Sequence, residues 1–141
     1  MSSTYSSVGY LVKQLQHAFR ARMDQELAEI ELTTSQFAIL NAIREVPGSS
    51  GADLARRCFI TPQSVNGLIG DLQRKGLIER SPSATRGRVI ETRLSAAGEA
   101  QLRAARRHVL PIEGKMLAKL SDAQRRQLVA LLELCIDGLS G

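Results

Sequence analysis

The stretch ITPQSVNGLIGDLQRKGLI, residues 60–78, gathers Gln63, Ser64 and Asn66 into little more than one helical turn, with Arg74 and Lys75 further along. Amide side chains offer the paired donor and acceptor that match an adenine edge, and guanidinium groups match guanine or a phosphate. On a helix advancing about 100° per residue, Val65, Leu68, Ile69 and Leu72 share one face. Gln63, Gly67, Gly70 and Arg74 lie opposite, with Asn66 at the edge. Each glycine costs such a helix roughly 1 kcal/mol against alanine. Turned outward, Gly67 and Gly70 do no core work; they remove bulk where a second body must approach the backbone. The pattern predicts a helix over 61–76 that enters a DNA major groove with its N-terminal residues nearest the bases. The alternatives are close packing of the glycines against a neighbouring helix, or an exposed face with no role.

Downstream, RSPSATRGRV places Arg86 and Arg88 at the tip of a Ser-, Pro- and Gly-rich turn. Arginines there can enter a flanking minor groove, whose negative potential is strongest where it is narrow. The alternative is a solvated loop. The candidate DNA-contacting set is Ser50, Thr61, Gln63, Ser64, Asn66, Gly67, Gly70, Arg74, Lys75, Arg86 and Arg88.

The charge distribution points the same way. The 141-residue chain carries a net charge of +5. Residues 1–60 balance six Lys/Arg with six Asp/Glu, and 111–141 balance four with four. Residues 61–110 hold nine basic residues against four acidic ones, so the excess of five lies there. A localised basic region suggests a polyanionic partner. Trp is absent and aromatics make up only 4%, which argues against a base-stacking platform for single strands or RNA.

Other chemistries find little support. No Ser/His/Asp set, phosphate loop or paired acid/base motif occurs, so no enzymatic activity is expected. His17 and His108 lie in different helices with no carboxylate or cysteine at ligand spacing along the chain, and no metal or cofactor is expected. Cys58 and Cys135 form no CxxC pair; Cys58 reads as a small core residue and Cys135 as buried at an interface. The segment MSSTYSSVGYLVKQ lacks the charged and apolar regions of a secretory signal, and no run approaches the roughly 20 apolar residues of a membrane span. A cytoplasmic location is expected.

These side chains need a scaffold. Val8, Leu11, Val12, Leu15, Phe19 and Met23 recur at helical spacing and predict a first helix over roughly 5–29. Thr33 with Gln36 makes a capping box for a helix that Pro47–Gly48 stops. Ser50 with Asp53 opens a short helix over 51–58. Thr61 caps the reading helix, Pro62 occupies its first position, and Gly76 ends it. Extended runs over 77–81 and 88–94 predict a hairpin. Ser95 starts a long helix kinked at Pro111. Ser121 with Gln124 caps the last helix, whose stripe is Leu128, Leu131, Leu132, Cys135, Ile136 and Leu139. The fold class is mainly α: a winged helix-turn-helix core with a two-stranded wing over 33–95, flanked by dimerisation helices over 1–32 and 96–141. Long apolar helices at both ends need a surface to bury them, and a homodimer supplies one.

The stretches LTTSQFAILNAI, SGADLARRCFITPQSVNGLIGDLQRKGLIERSPS and RLSAAGEA resemble the multiple-antibiotic-resistance-regulator (MarR) family of bacterial transcription factors over nearly the whole chain. The resemblance implies a homodimer that places one recognition helix per subunit in the major groove of a pseudo-palindromic operator. It further implies repression of nearby genes, relieved when a small aromatic or phenolic effector binds between the dimer and DNA-binding regions. The family's reading positions fall on Gln63, Ser64, Asn66 and Gly67, and its wing arginine on Arg88. Two departures stand out. Gly67 replaces a larger polar or basic residue. Arg86 replaces an acidic one that helps fix the wing arginine, which implies a more basic and looser wing 82–88. The sequence leaves two other readings open: a winged-helix protein-interaction module, and a repressor under redox control through Cys58 or Cys135.

Overall fold

The computed structural model describes residues 7–141. The elements run α1 (Val8–Ala28), α2 (Thr34–Glu45), α3 (Gly51–Arg57), α4 (Pro62–Arg74), β1 (Ile78–Pro82), β2 (Ile90–Leu94), α5 (Ala96–Met116) and α6 (Asp122–Leu139). The expected helix start at residue 5 lies outside the described residues. Helix starts follow local chemistry. Thr33/Gln36, Ser50/Asp53 and Ser121/Gln124 form reciprocal capping boxes, each satisfying two orphan donors. Thr61 caps α4 and Ser95 caps α5 with single side-chain bonds. Gly76, at φ +73°, turns the chain out of α4, a conformation that costs glycine no Cβ clash. Pro111 lies inside α5, which continues past it to Met116.

The core gathers the C-terminal half of α1 with α2, α3, α4 and α5. Leu27, Ile39, Leu40, Ile43, Leu54, Val65, Ile69, Leu72 and Leu102 are all fully buried. The two ends of the chain stay outside it. On the single chain Val8, Leu11, Val12 and Leu15 of α1 are exposed, as are Leu131, Leu132, Leu134, Ile136 and Leu139 of α6. No residue of α6 is buried.

The hairpin is antiparallel, with Ile78 opposite Leu94, Arg80 opposite Thr92 and Pro82 opposite Ile90. It begins one residue later than the sequence suggests, and Arg88 falls in the turn rather than in β2. The turn is held by the Ser83 hydroxyl, which accepts from the Thr85 and Arg86 N–H groups. A bridge between Ser49 and Thr92 joins the hairpin to the α2–α3 link: the Thr92 N–H donates to the Ser49 carbonyl and the Gly48 N–H to the Thr92 carbonyl, both at 3.0 Å. The first turn of α5 rests directly on the link between α4 and β1. A Cβ on Gly98 would lie 1.9 Å from the Leu77 carbonyl oxygen, so only glycine fits. Among the described residues, no helix is long and apolar enough to cross a membrane.

Candidate nucleic-acid interface and effector cavity

The orientation of α4 is set from beneath. Leu54 and Ala55 of α3 pack in the same core as Val65, Ile69 and Leu72 of α4. The turn between the helices passes through Phe59 at φ +56° and is closed by the Ile60 N–H donating to the Ala55 carbonyl at 3.0 Å. With its apolar face committed, α4 leaves Thr61, Gln63, Ser64, Asn66 and Gly67 exposed. Within the single chain the described residues give the glycines no neighbouring helix to pack against. Among the described residues, a Cβ on Gly67 would meet nothing within 4 Å, and one on Gly70 would meet only the side chain of Arg74. Gly70 is half-buried, beneath that arginine.

The remaining candidates divide by what they already touch. Thr61 and Ser64 share a hydrogen bond between hydroxyls at 3.0 Å while Thr61 also caps the helix. Ser50 is spent in the same way, accepting from the Asp53 N–H. Arg74 pairs with Asp71 one turn back. The Lys75 ammonium donates to the Glu31 carbonyl at 2.6 Å, tying the far end of α4 to the α1–α2 turn and away from Gln63 and Asn66.

Arg86 corrects the expectation of a looser wing. Its guanidinium donates to the Gly48 carbonyl at 2.6 Å and stands 3.7 Å from both Asp53 and Glu91. Instead of projecting, it fastens the turn to the α2–α3 link and the start of α3. The two acids it meets are held ionised. Hydrogen bonds from Ser50, ahead of the charges of Arg56 and Arg86, keep Asp53 below the usual carboxylate range. A hydrogen bond from Ser83, ahead of Arg93 and Arg86, does the same for Glu91. Arg88 stays exposed at the tip. Sequence reasoning missed Asp53, Glu91 and Arg80 as supports of the wing. Arg80 donates from Nε to the hydroxyl of buried Thr92 at 3.2 Å, a contact across the hairpin that has no linear signature.

A second feature lies between α1 and α5. A cavity of about 490 Å³ is lined by the apolar Phe19, Ile112 and Met116 together with the charged Arg22, Lys115 and Glu26. Its size falls within the range of small-molecule sites. Of the cysteines, Cys58 is half-buried and donates to the Ala38 carbonyl at 3.5 Å. Burial pushes its thiol up, the reverse of what a reactive thiolate needs. Cys135, expected at a buried interface, is exposed on the single chain. His108, expected to have no carboxylate near it, faces two: its Nδ1 lies 3.7 Å from Glu26 and 3.6 Å from Glu29. The helix crossing of α1 and α5 creates that proximity, which linear spacing did not reveal.

The comparisons with known proteins agree with this architecture. A MarR family model matches residues 30–89. The HTH-type transcriptional repressor Rv2887 of Mycobacterium tuberculosis is 31% identical over 126 residues, spanning 89% of this chain and 91% of that protein. Its crystal structure in complex with salicylic acid superposes with a TM-score of 0.76 at 30% identity, covering 92% of this chain and 96% of that one. Its complex with DNA gives 0.78 at 28% identity, covering 92% and 98%. Identity that extends from α1 to α6, over a winged helix-turn-helix arranged as described, means that the chain belongs to the MarR family.

Proposed function

We propose that the protein is a cytoplasmic, ligand-responsive transcriptional repressor that binds pseudo-palindromic duplex DNA as a homodimer. Residues 33–95 read the DNA, and 1–32 with 96–141 form the dimer. The observation that carries this reading is the bare outer face of α4: exposed amides at Gln63 and Asn66 beside Gly67, over which the backbone is open. In a major groove Gln63 and Asn66 meet base edges, Gly67 admits close approach, and the α4 N-terminus favours phosphate. Arg86 holds the wing against α3, so that Arg88 meets the flanking minor groove from a fixed base. The apolar faces of α1 and α6, uncovered on the single chain, bury one another in the dimer and set the two reading helices one DNA turn apart.

The α1–α5 cavity is the effector site. Its apolar wall accepts an aromatic ring and its two cations, Arg22 and Lys115, accept a carboxylate. The salicylic acid complex of the mycobacterial relative supports a small aromatic acid as ligand class. Because α5 is continuous with β2 through Ser95, wedging α1 from α5 displaces the wing and the reading helix.

Fluorescence anisotropy on genomic fragments tests the reading. Affinity should fall with salt at a log–log slope of about 0.9 per phosphate contact. Arg88→Ala should weaken binding to all sequences alike, whereas Gln63→Ala and Asn66→Ala should change base preference by about 1–3 kcal/mol per contact. Salicylate should release the DNA, and Arg22→Ala with Lys115→Ala should abolish release while leaving DNA affinity intact. No salt-sensitive binding to any genomic fragment would sink the proposal.

A further inference from the structure

Glu26, in the last turn of α1, and Glu29, the residue that caps its C-terminus in a helical conformation, stand three residues apart, which puts both on one face, and His108 of α5 faces them. Their ligand atoms all lie within 4.8 Å of one another. The separations from His108 Nδ1, 3.7 and 3.6 Å, exceed the reach of a direct hydrogen bond, which ends at about 3.2 Å. They are close to what one shared ion requires. Ligands at about 2.0–2.2 Å from a tetrahedral metal sit roughly 3.4 Å apart. A cavity of about 270 Å³ opens on the three groups and leaves room for water to complete the coordination. Arg107 also lines it, but two carboxylates against one guanidinium leave a net negative charge when the imidazole is neutral.

We infer that Glu26, Glu29 and His108 form a divalent-metal site that braces α1 against α5. One imidazole with two carboxylates suits Zn²⁺, Co²⁺ or Mn²⁺ rather than a soft thiolate-seeking ion. Binding requires the imidazole and both carboxylates deprotonated, so affinity falls as pH falls.

The full-length protein, stripped with a chelator, is titrated with ZnCl₂ by calorimetry and with CoCl₂ by visible absorption, and its thermal midpoint is followed against Zn²⁺ concentration. The expected result is one ion per chain and a midpoint that rises with Zn²⁺, since a ligand of the native state stabilises it by mass action. Loss of an outer partner of a metal ligand typically weakens binding about 10–100-fold, and loss of a ligand itself at least that much. Glu29→Gln and His108→Gln should therefore each bind at least about tenfold more weakly. Glu29 is 68% exposed, so its variant should melt like the wild type in chelator. His17→Ala should bind as the wild type does. The inference is overturned if the wild type takes up no ion at millimolar Zn²⁺, or if both ligand variants bind undiminished.

Discussion

Gly98→Ala is the sharpest test of how the DNA-reading unit is joined to the long helix α5. An added Cβ would sit 1.9 Å from the Leu77 carbonyl oxygen, whereas ordinary contact starts at 3.4 Å. The two backbones must therefore part by 3.4 − 1.9 = 1.5 Å. That carbonyl accepts from the Ser95 N–H at 3.0 Å, and Ser95 in turn donates to the Gly76 carbonyl at 2.6 Å while capping α5 through the Gly98 N–H. Overpacking of this kind costs about 1–3 kcal/mol, and a strained or lost hydrogen bond about 1 more. Alanine returns about 1 kcal/mol through helix propensity, so the net loss should be about 1–3 kcal/mol. Gly67→Ala supplies the internal control. Its Cβ meets none of the described residues within 4 Å, so only the propensity gain of about 1 kcal/mol remains, with the opposite sign. Urea unfolding followed by far-UV circular dichroism, at one fixed protomer concentration because dimerisation adds to apparent stability, measures both. A Gly98→Ala protein that unfolds at or above the wild-type midpoint would refute the close approach of α5 to Leu77.

Three further outcomes follow from named contacts. Arg86→Ala removes the charged donor to the Gly48 carbonyl; it should cost about 1 kcal/mol in urea unfolding and speed hydrogen exchange of the hairpin amides, and unchanged exchange would contradict the latch. Asp53, held below the usual range, contributes stability that is complete above the ordinary value of about 3.9 and disappears as pH falls through its own lower value. The stability difference between wild type and Asp53→Asn should therefore be constant from neutral pH to about pH 5 and shrink below about pH 4. Leu132→Asp puts a charge on the exposed apolar face of α6 and should turn the dimer into monomers in sedimentation equilibrium, with little loss of helical signal since no residue of α6 is buried within the chain.

The sequence by itself determined what depends on near neighbours. The caps at Thr33, Ser50, Thr61, Ser95 and Ser121 act within one turn, the glycine exit at Gly76 is a local backbone matter, and the period of Val65, Ile69 and Leu72 alone fixed which face of α4 turns inward. The element order, the wing and the outward position of Gln63, Asn66 and Gly67 were therefore legible in the sequence. Only the tertiary structure decided contacts between residues distant along the chain. It turned Arg86 from a free wing cation into a latch on Gly48, Asp53 and Glu91, sent Lys75 to the Glu31 carbonyl, brought His108 to Glu26 and Glu29, and demanded glycine at position 98. The physical reason is range. A cap or an amphipathic period is set by hydrogen bonds and burial within a few residues, whereas an ion pair, a cavity or a steric limit between helices exists only once packing has fixed where two separate backbones run.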